Sequence, residues 1–135
     1  MDSDMTTRKL STDGELSSEG TAVLAAQAAD GKGATDVVVL NVGDLLGICE
    51  CFVVASAGNP RLVRAVVDEV ERMVKEATGR SPRSVEGAAE RRWVLMDYGD
   101  IVVHVFSEDE REYYRIERLY SEAPVVDWST GSTTP

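Results

Sequence analysis

The sequence predicts a single α/β domain, a mixed β-sheet flanked by helices. Three observations carry that expectation. Asp36 to Val42 and Cys51 to Ala55 are apolar on both faces, the pattern of strands central in a covered sheet. Leu62, Val63, Val66, Val67, Val70, Met73, Val74 and Ala77 form one apolar stripe at helical spacing, suited to packing on a face of that sheet. Trp93 to Tyr120 reads as strand, turn, strand, cap and helix. The chain has 135 residues, enough for one domain with one core.

The elements follow in order. Residues 1–18 are rich in Ser, Thr, Asp and Gly without a period, and read as a disordered tail. Thr21 to Ala29 is alanine-rich and predicts a short helix, ended by Asp30-Gly31-Lys32-Gly33. Gly43 to Gly47 reads as a turn between the first two strands, and Ser56-Ala57-Gly58 as a loop after the second. Asn59-Pro60 opens the long helix with a capping side chain and a proline at the first helical position. Gly79 ends it. Arg80 to Glu90 is loop, with a short edge strand at Arg83-Ser84-Val85.

Trp93 to Met96 and Ile101 to Phe106, joined by Asp97-Tyr98-Gly99-Asp100, form a β-hairpin. Ser107-Glu108-Asp109-Glu110 has the Ser-x-x-Glu form of a capping box, with three acids near the positive end of the helix dipole. Tyr113, Ile116, Leu119 and Tyr120 continue at helical spacing, so one helix is expected there. Ser121 to Pro135 reads as a mobile C-terminal tail, which leaves 19–120 as the folded domain.

Net charge is −10, from 24 acids against 14 basic residues, and the excess is spread along the chain. Such a surface is a poor ligand for bare nucleic acid, where binding rests on cations replacing counterions. It suits a basic protein partner. No apolar run approaches the roughly 20 residues that span a bilayer, and residues 1–18 hold no signal-peptide core. A cytoplasmic protein is expected. Cys49 and Cys51 are read as two small buried apolar residues on one strand face, not as a disulfide or a zinc site.

The residues give catalysis little to work with. Asp97 and Asp100 are three apart across a turn, so they need not converge on a metal pair. No phosphate-binding glycine motif occurs, and His104 lies between two valines without a nearby nucleophile. No cofactor is expected. Binding fits better. Trp93 and Tyr98 fall on opposite strand faces by parity. An exposed Trp93 ringed by Asp97, Asp100, Glu108, Asp109 and Glu110 would make an aromatic patch for a partner carrying an apolar strip flanked by Lys and Arg.

The same stretch resembles the ribosomal silencing factor family, related to the plant protein iojap. The matching residues are Trp93, Asp97, Gly99, Asp100, His104-Val105, Arg111, Tyr114 and Ile116-Glu117-Arg118-Leu119-Tyr120. Ile116 and Tyr120 stand where the family usually has Leu and Trp. A fainter match runs back through Leu40-Asn41-Val42, Glu50, Asn59-Pro60-Arg61-Leu62 and Glu86-Gly87, so it covers about residues 19–120. Leu62 replaces a histidine, and any role of that side chain does not carry over.

The resemblance implies a nucleotidyltransferase-like fold without enzyme activity. It implies a translational repressor that binds the large ribosomal subunit through ribosomal protein uL14 and sterically blocks joining of the small subunit. It also implies a homodimer when free. Trp93, Asp97, Tyr98, Asp100, His104, Arg111 and Tyr114 are the expected partner-binding residues. The alternative is a degenerate nucleotidyltransferase that still binds nucleotide.

Overall fold

The computed structural model describes residues 16–129. A helix α1 (Ser18–Gly31) leads to strand β1 (Thr35–Asn41), a one-turn helix α2 (Gly43–Leu46) and strand β2 (Cys51–Ala57). The long helix α3 (Pro60–Thr78) follows, then the short edge strand β3 (Ser84–Glu86) and the hairpin β4 (Trp93–Asp97) and β5 (Ile101–Ser107). Helices α4 (Glu108–Tyr114) and α5 (Ile116–Leu119) and a two-residue strand β6 (Val125–Val126) complete the described fold.

The six strands form one mixed sheet in the order β3-β4-β5-β2-β1-β6. β2 and β5 pair in parallel, Cys51 opposite Ile101 through Ala57 opposite Ser107, and every other pairing is antiparallel. β2 sits inside the sheet, and all seven of its residues are buried. This matches the α/β domain that the sequence predicts.

The two faces of the sheet are covered unequally. α1 and α3 pack on the first face over Val53, Ala55, Val94, Met96, Val103 and Val105. Ala22, Ala25, Ala26 and Ala29 of α1 are fully buried, and their small side chains let that helix lie close to both α3 and the sheet. α3 contributes Val63, Val66, Val67, Val70 and Val74 from the apolar stripe, and Asn59 caps it by accepting from Leu62 N–H at 2.8 Å. The second face carries Leu40, Phe52, Val54 and Phe106 and is covered by Ile116, Tyr120 and Ala123.

Several boundaries differ from the sequence-based expectation. The first helix begins at Ser18, where Ser17 accepts from Gly20 N–H at 3.0 Å; the expected tail through residue 18 therefore ends inside a capped helix. Gly43 to Gly47 is not a plain turn, since Gly43–Leu46 form a helical turn closed by Gly47 at φ 74°. β2 runs on to Ala57, and Cys49 lies outside it, half-buried, so only Cys51 is a core thiol. The single last helix is broken: Arg115 takes a left-handed conformation, φ 48° and ψ 50°, and separates α4 from α5.

The C-terminal segment is also bound where a mobile tail was expected from residue 121. Val125 and Val126 pair with Leu40 and Val39 of β1, and Asn41 N–H donates to the Pro124 carbonyl at 2.8 Å. Trp128 donates its indole N–H to the Val37 carbonyl at 2.9 Å, and Gln27 donates to the Trp128 carbonyl at 2.9 Å. The rest of the two expected tails, residues 1–15 and 130–135, lies outside the described residues.

Trp128 thus holds the strap over the β1 edge. Replacing it by Ala is expected to lower stability by about 2 kcal/mol in urea unfolding, since a packed aromatic and its hydrogen bond are lost. Val125→Ser, at a side chain 72% exposed, is expected to stay within about 0.5 kcal/mol of wild type. Equal, small effects would place the strap outside the cooperative fold.

Candidate functional site: a half-open aromatic sheet face

Strand alternation places Trp93, Leu95 and Asp97 of β4 on the second face, beside Phe106, His104 and Val102 of β5. Glu86-Gly87 fixes the entry to this strand. Gly87 stands at φ 83°, and a Cβ there would come within 2.1 Å of the Trp93 carbonyl oxygen. Only glycine fits that approach.

Trp93 lies at the centre of an aromatic group. Its ring stacks on Phe106 at 4.8 Å between centroids and tilts against Tyr114 at the same distance. Its indole N–H donates to His104 Nδ1 at 3.1 Å. That bond assigns the proton of the neutral imidazole to Nε2, which is buried and has no hydrogen-bond partner. His104 is 5% exposed, and burial pulls its pKa down to about 4, so it is neutral at pH 7. Phe52 stands edge-on to His104 at 4.7 Å and to Tyr120 at 5.3 Å.

α4 and α5 do not reach across this face. Trp93, Leu95 and Val102 remain half-buried. Tyr114 is 44% and Leu119 73% exposed on the two short helices beside them. The face is an aromatic and aliphatic strip, half-open to solvent at Trp93, Leu95 and Val102 and closed over His104 and Phe106.

The expected site residues separate into two groups. Trp93, His104 and Tyr114 are brought together. Asp97 and Asp100 stand at the hairpin turn, roughly 13 Å along the strand from Trp93. Asp97 accepts from Gly99 N–H at 2.8 Å. Asp100 accepts from Arg80 at 2.6 Å and from the Ser18 hydroxyl at 2.7 Å. Burial opposes ionisation of Asp100, but Arg80 and Ser18 outweigh it and hold the carboxyl below its usual range. Glu108, Asp109 and Glu110 lie at the opposite end of β5, on the first turn of α4, where Ser107 accepts from Glu110 N–H at 3.2 Å. The acids therefore bracket the strip at its two ends and do not ring Trp93.

Tyr98 and Arg111 are not surface residues. Tyr98 is 5% exposed on the first face, because parity turns it beneath the helices. Burial first, then Glu71, pushes its pKa up to about 12. Arg111 is 7% exposed and ion-paired to Glu117 at 3.1 Å across the break at Arg115. It holds α5 against α4. Sequence reasoning passed over Leu95 and Val102, whose alternation with buried positions was the available signal. It also passed over Leu45, in a glycine-bracketed turn, and Ile48, just after that turn. Among the described residues, no group of three or more His, Cys, Asp or Glu side chains is placed to hold a metal ion.

Comparison with known proteins agrees with this architecture. The family model described as "Ribosomal silencing factor during starvation" matches residues 15–134. The chain belongs to the ribosomal silencing factor family. It is 39% identical over 104 residues to the ribosomal silencing factor RsfS of Halalkalibacterium halodurans, covering 77% of this chain and 88% of that one. It is 37% identical over 108 residues to RsfS of Bacillus subtilis, covering 80% and 91%. A crystal structure of a protein from Chromobacterium violaceum superposes with a TM-score of 0.74 at 32% identity, over 78% of this chain and 88% of that one. The family assignment inferred from Trp93 to Tyr120 and the mixed α/β fold both hold.

His104 makes this site sensitive to acid. Its pKa is about 6.5 when unfolded and about 4 when folded, so the unfolded state binds the extra proton first. Its contribution is fully present above pH 6.5 and is lost as pH falls toward 4, about 3 kcal/mol in all. Urea midpoints measured over that window are expected to fall more steeply for wild type than for His104→Gln. Parallel profiles would show that His104 is not buried as a neutral ring.

Proposed function

We propose that this chain represses translation by docking on the large ribosomal subunit through the open strip along β4 and β5. The contact is ribosomal protein uL14, and the bound chain stands where the small subunit would join. The observation that supports this reading is Trp93, half-exposed and held rigid by His104, Phe106 and Tyr114. A fixed aromatic side chain loses little freedom on binding, and such residues dominate interface energetics. The acids at both ends of the strip suit a basic partner surface. The family's name and the relatives' names, ribosomal silencing factor, support a ribosomal target.

The mechanism needs no chemistry, only bulk placed on a joining surface. The apolar strip also gives the free chain a surface for self-association, so that a homodimer would compete with the docked form. The alternative, nucleotide binding on a nucleotidyltransferase-like fold, has no observation in its favour among the described residues.

Co-sedimentation with purified large subunits tests the site. Trp93→Ala is expected to weaken binding by at least about tenfold, as for a central interface aromatic. Tyr114→Ala, at a side chain outside the core, is expected to weaken it less. Circular dichroism checks that both variants fold. Folded variants that pellet like wild type would remove the strip as the docking surface.

A further inference from the structure

The β1–β2 loop carries a second exposed apolar feature. Leu46 and Cys49 turn inward against the second-face core, which anchors the loop. Leu45 and Ile48 turn outward and are 47% and 81% exposed. Gly47, at φ 74°, closes the helical turn between them. Beside Ile48 opens a cleft of about 490 Å³ whose walls include Asn41, Asp44, Glu50 and Asp100. Val102 packs on the same core as Leu46 and Cys49, so the loop borders the strip that ends at Trp93.

The cleft is negatively charged. Asp100 is ionised and engaged by Arg80 and Ser18. Asp44 and Glu50 take part in no salt bridge or side-chain hydrogen bond among the described residues. The Cys49 thiol registers this field: burial raises its pKa first, and Asp97, Glu50 and Asp100 add to the rise. The carboxylates do not gather into a metal-binding set among the described residues. What fits is a flexible cation carried on an apolar stem, which sets charge against Asp44 and Glu50 while its neighbours cover Ile48. Ribosomal RNA does not fit, since its phosphates would meet the unpaired carboxylates of Asp44 and Glu50.

We propose that this cleft docks a Lys- or Arg-bearing protein segment whose adjacent apolar side chain packs on Ile48. The inference rests on the ribosome-docking reading above, and it assigns the second sector of that surface to a basic segment of a large-subunit protein. The two sectors divide the work. The Trp93 strip contributes apolar burial that is indifferent to salt, and the loop contributes a salt-sensitive, selective contact.

Binding to purified large subunits is measured over a range of KCl concentrations for wild type, Ile48→Ser and the double variant Asp44→Asn, Glu50→Gln. All three substitutions are at positions outside the core, and circular dichroism verifies folding. The double variant is expected to bind about fivefold more weakly at low salt and to lose part of the salt dependence. Ile48→Ser is expected to weaken binding by about tenfold at every salt concentration. Wild-type affinity and salt slope in both variants would overturn the inference while leaving the Trp93 strip standing. Tighter binding by the double variant would overturn it too, by placing nucleic acid at the cleft. Absence of binding by wild type would remove the ribosome reading and this inference together, and that result is distinct from the others.

Discussion

The left-handed turn at Arg115 decides how much of the sheet meets solvent. Had the chain continued as one helix from Glu108 to Tyr120, a single rod would have left β5 in one direction. Instead α4 stops after seven residues, Ile116 turns into the core, and α5 runs only four residues more. The pair Arg111–Glu117, buried at its arginine end, spans the break and fixes the angle. The result covers β1 and β2 on the second face and leaves β4 and the edge of β5 half-bare. The first face is more fully covered, because α1 and α3 are long and pack on each other as well as on the sheet, and it opens at Val85 of the edge strand β3. The asymmetry between the two faces leaves an ordinary α/β domain with one half-open aromatic face.

Within that open strip, rigidity comes from a cross-strand hydrogen bond. Trp93 and His104 are diagonal neighbours on the β4–β5 pair, close enough for indole and imidazole to meet. The bond leaves the His104 Nε2–H without a partner, a cost on the order of 1–3 kcal/mol in a buried setting. The fold tolerates it because the ring also fills space among Phe52, Trp93 and Phe106. Stability is spent here on holding an aromatic surface still, and a surface held still is suited to recognition.

Local chemistry was legible in the sequence. The hairpin followed from two apolar runs around a glycine turn, the Ser107 and Asn59 caps from their own side chains, and the α3 stripe from its period. What escaped depends on contacts far apart in the chain. Tyr98 looks exposed at a hairpin tip, yet its face is decided by where α1 and α3 lie. Arg115 interrupts a pattern whose helical spacing runs straight through it, because burying Ile116 outweighs continuing the helix. Ser17 was hidden as a cap by Gly20 three residues on. The C-terminal strap rests on one Val-Val pair and one indole, too short for any period. Of the expected partner-binding residues, His104 and Tyr114 came from the family resemblance and Trp93 also from its place at the start of the hairpin; the β4–β5 pairing and α4 bring the three together. Leu95, Val102 and Ile48 needed the sheet and the loop to be built first.

In the proposed reading the molecule is an obstacle, whose half-open aromatic strip attaches a folded body to a joining surface. Light scattering of purified small and large subunits on mixing, with this chain in stoichiometric excess, tests that most directly. The expected result is slowed and incomplete joining with wild type and joining near the uninhibited rate with folded Trp93→Ala. Full-speed joining in the presence of the wild-type chain would contradict it.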